Sequence, residues 1–372
     1  MWQPITDPQT WNTLLCRLPA PHVLQSWEWG EFKSRWGWSA ERWALSGADQ
    51  RPRALVQLLR RRAGRLPVCV LYAPKGPVVA DAQALDEALS FIERRARQTR
   101  AVWAKVDGDC HLAFAPRSAD APQSAVEPQS ADALTTREVA RSALRTRGWR
   151  YSPNQVQFRN TMHTDLRHSD DELLAGMKQK WRYNIRLAEK HGVTIRQSTP
   201  AEAATLYRLY GETGRRDGFT IREPDYYYDA WRSMHAVGLL AEHASVAQPL
   251  AGLVLFRLGG RAWYFYGMSS AEGREHMPNY LLQWAALRWA RDNGCTIYDW
   301  WGAPEELNEH DSMWGVYRFK DGFGAKFVEG LGAWDYAPSA VLYSLYTRWM
   351  PAFWRMARRK KSAPQNGMIP PG

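Results

Sequence analysis

Apolar positions along the chain fall into two recurring patterns: short runs rich in Val and Leu, and longer stretches with apolar residues three or four apart. The first predicts strands and the second helices. Residues 6–38 read as helix, turn, helix. Asp7-Pro8 opens the first, and QSWEWGEFKSRWGW forms the second, with Trp27, Phe32 and Trp36 at near-helical spacing. Lys33 lies on the polar border of that helix, where a solvated side chain is the usual fate of a lysine. Residues 41–46, 53–62 and 68–72 predict a meander ending in the turn APKGPV. A helix over 82–97 follows, then a strand over Ala101–Val106 that runs into Asp107-Gly108-Asp109. DG is ordinary turn chemistry; a carboxylate leaving a strand's carboxyl end is also placed to orient a ligand or take a proton.

The second half continues with a helix over 135–147 and a strand over 149–158. A single helix is predicted over 170–191, capped by Ser169 or Asp170 and ended by Gly192. Its apolar stripe is Met177, Trp181, Ile185 and Ala188, and a basic stripe of Lys178, Arg182, Arg186 and Lys190 runs beside it. A solvated face is the commoner explanation of such a stripe, and phosphate contact is the alternative. Residues 200–236 are helical again, interrupted by GRRDGFTIREPDYYYDAW, in which Arg222 precedes Pro224 and Tyr226. An arginine at a helix start with a tyrosine one turn on suits a diphosphate; a surface arginine beside core tyrosines fits equally. Strands over 239–246, 250–258 and 262–268 form a second meander. A helix over 279–293, a strand over 295–300, a helical turn over 315–321 and a strand over 326–334 follow.

These elements echo one another. The first half runs meander, APKGPV turn, helix, strand, acidic turn; the second runs meander, GMSSAEG turn, helix, strand, DWWGAP. The fold class is therefore α/β (α+β): two GNAT-like acyltransferase domains in tandem duplication, one spanning 1–150 plus 332–360 and the other 151–331. Residues 116–133 are rich in Ala, Ser, Pro and Gln with a near repeat of PQSA, which predicts a flexible loop. The segment 361–372 reads as a basic, disordered tail. The string Arg257-Leu-Gly-Gly260-Arg-Ala262 matches the formula of a CoA pyrophosphate loop, but it falls between two strands, where Gly259-Gly260 is a hairpin turn.

The charge balance changes the list of partners. A net charge of +11 favours phosphate-bearing substrates, RNA or anionic lipid surfaces. Twenty Trp residues are too many for a core alone, so some line grooves or an interface with membrane. Cys16, Cys69, Cys110 and Cys295 are widely spaced with no CxxC or Cys/His cluster, which argues against zinc and for a reducing compartment. No secretory signal or membrane-spanning run is present, so a cytoplasmic location is expected. The basic, aromatic segment 343–361 can lie on the inner face of an anionic membrane; a helix packed on the first domain before a disordered tail is the alternative.

The one side chain beyond the 295–300 strand that suits acyl transfer is Lys320, between Phe319 and Gly322-Phe323-Gly324. A cation there can face a developing oxyanion, or it can simply complement a helix C-terminus. The motifs SWEWGEFKSRWGW, MKQKWRYNIRLAEKHGV, PNYLLQWAALRWARDNGCTIYDWWG and GVYRFKDGFG, in this order, resemble the Fem family of non-ribosomal peptidyltransferases. That family builds peptidoglycan cross-bridges from aminoacyl-tRNA. The resemblance implies Lys33 and Arg222, with Tyr226 beside them, on the acceptor's diphosphate, and Tyr266 in WYFYGMSS on the acceptor. It implies Asp107 near the attacking amine, and Phe319 with Lys320 beside the reacting aminoacyl ester. The long helical hairpin that some members insert in the second domain has no counterpart here.

The reaction so implied is aminolysis of an aminoacyl-tRNA ester by a stem-peptide amine of a peptidoglycan precursor, UDP-linked or lipid-linked. It needs positioning, proton removal and help for the oxyanion, and no cofactor or metal. Two other classes compete: a CoA-dependent GNAT-type N-acyltransferase, and a non-catalytic RNA-binding protein using the basic, Trp-rich surface.

Overall fold

The computed structural model describes residues 1–62, 66–109 and 131–349. Two sheets organise them. The first has the strand order Trp2–Pro4, Ser39–Ser46, Pro52–Arg62, Cys69–Ala73, Ala101–Val106, Trp334–Tyr336 and Arg150–Tyr151, with the short Val78–Val79 paired to Pro52–Arg62. The second runs Lys326–Val328, Thr161–Asp165, Ile297–Asp299, Arg261–Ser269, Ala251–Leu258, Val237–Glu242 and Thr194–Gln197.

The duplication lies in how these strands pair. In the first sheet, three antiparallel strands lead to Cys69–Ala73, which pairs in parallel with Ala101–Val106. In the second, Val237–Glu242, Ala251–Leu258 and Arg261–Ser269 are antiparallel, and the last pairs in parallel with Ile297–Asp299. A parallel pair cannot be joined by a hairpin and needs a crossover. The helices Ala82–Gln98 and Pro278–Asp292 supply it. Asp81 caps the first by accepting from the Ala84 amide, and its Leu85, Leu89, Ile92 and Ala96 are buried. Pro278 opens the second, and Leu282, Ala286, Leu287 and Ala290 face its sheet. Each half thus presents an equivalent strand end: Asp107 after one, Asp299 closing the other.

Each half has its own apolar core, and a further cluster belongs to both. Val23, Leu24, Trp29 and Phe32 of the first half pack with Tyr226, Tyr227, Phe256 and Trp263 of the second. The halves are therefore joined by an interior rather than by a wet surface, and this seam carries the candidate site residues.

Three strand and helix expectations are corrected. The 149–158 strand shrinks to Arg150–Tyr151: the Ser152 amide still donates to the Ala333 carbonyl, but the chain bends at 153 and 154, and ladder pairing resumes with Thr161–Asp165, in the second sheet. The 170–191 helix is two helices, Asp170–Gly176 and Gln179–Lys190. Met177 and Lys178 are extended between them, and the Lys178 amide donates to the Gly322 carbonyl instead of continuing the helix. Periodicity cannot register that competition, since the acceptor lies far along the chain. The 326–334 strand divides into Lys326–Val328 in the second sheet and Trp334–Tyr336 in the first, with Gly332 between them at φ +75°. Most of the 116–133 loop and all of the 361–372 tail lie outside the described residues; 131–133 begin the helix Ala131–Thr146. No helix among the described residues is long and apolar enough to cross a membrane.

Candidate active site

Two groups of side chains meet along the seam. The first is cationic and aromatic. Ser26 caps the helix Trp27–Arg35 by accepting from the Trp29 amide, which starts the helix where Lys33 falls toward the second half. There Lys33 Nζ donates to the Tyr226 hydroxyl at 3.2 Å. The helices are braced alongside by Arg35 and by the Trp36 indole, both of which donate to Asp229. Arg222 is held by its backbone: its amide donates to the Tyr227 hydroxyl, and its carbonyl accepts from Tyr207. Its guanidinium carbon then lies 4.6 Å from the centre of the Tyr226 ring. Burial, with Arg222 and Arg61 close by, pushes the Lys33 ammonium down to about 8. Like charges kept this close in a half-dry site favour an anion as their complement. Tyr266 joins the group edge-on to Tyr227, at 5.6 Å between ring centres. Burial raises its hydroxyl well above the ordinary tyrosine value.

The second group is a buried network of ions. Asp107 accepts from the Tyr72 hydroxyl at 2.6 Å and from the Lys75 amide at 2.5 Å, and burial raises its pKa above the carboxylate norm. Lys75 adopts φ +51° to make that contact, and its ammonium reaches Asp109 at 3.3 Å and the Phe158 carbonyl at 2.9 Å. Arg261, from the other sheet, sits 3.9 Å from Asp109 and 3.7 Å from Asp299 and so bridges the two strand ends. Asp299 in turn accepts from Thr161 and from the Trp301 amide, with His163 at 3.1 Å on its other oxygen. Burial opposes its ionisation, yet His163, Arg261 and Thr161 together hold the carboxylate well below its usual range. His22 is buried beside Asp109, and burial pushes its imidazole down to about 3, so it is neutral.

Lys320 enters from the helix Trp314–Gly322. Its ammonium donates to the carbonyls of Trp300, Trp301 and Gly302 at 2.8, 2.9 and 2.5 Å. All three of its donors are thereby engaged. Burial pushes it down to about 7, with Asp299 pulling the other way. Trp301 adopts φ +56°, and a left-handed tryptophan is a strained conformation of the kind that clusters at functional sites.

The groups are connected. The Trp301 ring stacks on Phe265 at 4.5 Å, Phe265 lies against Trp29 and Tyr266, and Lys33 is 5.8 Å from the Trp29 ring centre. Lys75 Nζ is 5.8 Å from the Trp301 ring centre. Lys33, Arg222, Tyr226 and Tyr266 thus form one unit. Asp107 and Lys320 are joined to it through Lys75 and Trp301. Phe319 stands apart: its ring packs with Tyr280 and Phe323 in the core of the second half, and its carbonyl accepts from the Trp181 indole. Sequence reasoning passed over Lys75, His22, Arg261 and His163 altogether. The one available signal was the echo, which places Asp107 and Asp299 at matching strand ends and so marks both as poles that need cations. The hairpin at Gly259-Gly260 is a turn between two strands, with φ +54° and +78°, beside a cavity of about 320 Å³ lined also by Asn293, Gly294 and Cys295. A helix C-terminus, not an N-terminus, ends at this cavity, which is the wrong pole for a pyrophosphate.

Comparison with known proteins decides the family. The FemAB family profile matches residues 15–235 and 231–349, which is most of the chain. The chain belongs to the FemAB family. It is 25% identical to the lipid II:glycine glycyltransferase of Staphylococcus aureus (strain USA300), over 90% of this chain and 92% of that protein. Among solved structures it superposes on FemX with a TM-score of 0.78 at 25% identity, covering 93% of this chain and 99% of that one. A tandem GNAT protein from the clavulanic acid biosynthesis pathway shares the fold, with a TM-score of 0.52 at 13% identity over 91% of this chain and 99% of that one. The two-sheet duplication is therefore the tandem acyltransferase fold of this FemAB chain.

Proposed function

We propose that this FemAB protein transfers an amino acid from aminoacyl-tRNA onto the stem peptide of a peptidoglycan precursor, building an interpeptide bridge. The observation that carries the reading is the joining of Lys33 and Arg222 around Tyr226, from opposite halves of the chain. Two guarded cations over aromatic rings suit a diphosphate, the group common to UDP-linked and lipid-linked muramyl peptides. The similarity to a lipid II:glycine glycyltransferase supports the same substrate class.

In this reading Lys33, Arg222 and Tyr226 anchor the diphosphate and Tyr266 lines the acceptor's path. The stem-peptide amine then reaches the seam, where it attacks the ester carbonyl. The C–N bond forms, the ester C–O bond breaks, and the tRNA ribose oxygen leaves with the proton that the amine has given up, returned to it by the group that drew it off. Asp107, with its raised pKa, is the acceptor for the amine's proton. Lys320 counters the oxyanion by exchanging one of its three carbonyl partners for the ester oxygen. Phe319 acts from behind, by holding the helix that carries Lys320. Val341, Leu342 and Leu345 stay exposed near the chain's end, and we assign peripheral contact with the inner face of a membrane to the segment 343–361 that they enter.

The test is incubation of the protein with charged tRNAs and either the UDP-linked or the lipid-linked precursor, followed by mass analysis. A gain of one aminoacyl residue on the stem peptide is expected. Acetyl transfer from acetyl-CoA, or RNA binding with no mass gain under any pairing, would overturn the assignment.

A further inference from the structure

The helix Gln179–Lys190 has two faces of opposite character. Ile185 and Ala188 are buried against the second core, with Trp181 partly buried beside them. On the other side Lys180, Tyr183, Arg186 and Lys190 recur three or four residues apart and are all exposed, Tyr183 by 60%. Lys178, at the helix start, pairs with Asp321. Lys180, Arg186 and Lys190 have no ion pair among the described residues, so their charge faces outward uncompensated. A helix rises about 1.5 Å per residue, so this cationic row is about 15 Å long.

The helix is also tied to the site. The Trp181 indole donates to the Phe319 carbonyl at 2.9 Å, and the Lys178 amide donates to the Gly322 carbonyl at 2.9 Å. Gly322 permits the approach, because a Cβ there would stand 2.1 Å from the Trp181 ring. Both bonds flank Lys320. Whatever docks on the outer face is therefore held in fixed relation to the ammonium beside the seam.

We infer that the outer face of the helix Gln179–Lys190 is the docking surface for the duplex end of an RNA, with phosphates on Lys180, Arg186 and Lys190 and Tyr183 offering its ring to an unpaired base. The inference rests on the aminoacyl-tRNA reading. A row of cations at this spacing complements a polyanionic backbone, and an exposed tyrosine among cations is a stacking platform. A membrane is the poorer partner. Insertion requires exposed apolar side chains opposite the charges, and on this helix those are buried in the protein.

The experiment measures binding of uncharged tRNA to the full chain from about 50 to 200 mM salt. The variants are K180E/R186E/K190E and, as a control with the same change in net charge elsewhere on the surface, R17E/R51E/R94E. The first should weaken binding about tenfold or more and flatten the slope of log K against log salt by about 3, in line with three lost contacts to duplex phosphates. The control should keep the wild-type slope. In turnover, the KM for charged tRNA should rise while the KM for the precursor holds. The milder K180Q/R186Q/K190Q, which removes charge without reversing it, should fall between them and guards against misfolding. Wild-type RNA binding by the glutamate variant overturns the inference and leaves the transferase reading standing. Loss confined to phosphatidylglycerol vesicles, with tRNA binding unchanged, also overturns it. A wild-type protein that binds precursor but takes nothing from charged tRNA overturns the transferase reading itself.

Discussion

Lys33 donates a 3.2 Å hydrogen bond to the hydroxyl of Tyr226, a residue 193 positions further along the chain and on the opposite half of the fold. Tyr226 is in turn covered by the Arg222 guanidinium, so two cations share one aromatic ring. Removing either cation removes a charge-assisted hydrogen bond of about 1.5–3 kcal/mol to an anion. Lys33→Met and Arg222→Met should each raise the KM for the precursor by about ten- to a hundredfold, read by steady-state kinetics at saturating charged tRNA. An unchanged precursor KM in both would remove the diphosphate assignment.

The same lysine makes binding depend on pH. Its ammonium is pushed down to about 8, so it is a cation below that pH and neutral above it. The kcat/KM for the precursor, which reports the free enzyme, should therefore fall as pH rises through about 8. Lys33→Arg keeps its charge throughout. That variant should lose the alkaline limb, and retention of the limb would place its origin elsewhere.

Lys320 satisfies three carbonyls of the turn that follows the Ile297–Asp299 strand. Lys320→Met leaves those carbonyls without a donor, and one buried unsatisfied acceptor alone costs about 1–3 kcal/mol. The variant should melt at a lower temperature, bind the precursor as wild type does by calorimetry, and lose transfer. Full turnover in a folded Lys320→Met protein would take Lys320 out of the mechanism.

Asp299 is a buried carboxylate whose pKa the fold lowers, through His163, Arg261 and Thr161, against the cost of burial. A group of this kind stabilises the protein above its unfolded pKa, about 3.9, and that contribution is lost as pH falls through the folded value. Asp299→Asn leaves Arg261 with Asp109 as its remaining carboxylate and weakens the bonds from Thr161 and His163, which should cost about 1–3 kcal/mol at neutral pH. In urea titrations the gap between the variant and wild type should narrow as the solution is made strongly acidic. A gap independent of pH would mean that shape, not charge, is what Asp299 supplies.

Gly322→Ala would place a Cβ inside the Trp181 ring system, where no tip of a flexible side chain can yield. Overpacking of this kind costs about 1–3 kcal/mol. Thermal unfolding should show the loss, and the Lys178–Gly322 bond should open with it, seen as faster hydrogen exchange at the Lys178 amide. A variant as stable as wild type would show that the two segments separate easily.

Much of the scaffold was legible because its signals are local. Alternation and helical spacing follow from the geometry of neighbouring residues, so the meanders, the crossover helices over Ala82–Gln98 and Pro278–Asp292, and the echo between halves could be read along the chain. Local reasoning failed where a distant partner outbid a nearby one. The Gly322 carbonyl breaks the long helix at Lys178, and the glycines near 330 send one run of strand into two sheets.

The sequence by itself determined the duplicated α/β plan, the basic character of the chain and the motifs of its family, since each is carried by residues close together in the chain. Only the tertiary structure decided which ions meet. Asp107, Lys75, Arg261 and Asp299 come from four separate strand ends and turns, and charges survive burial only when the fold delivers their partners. That pairing depends on distances in space, which no local pattern encodes.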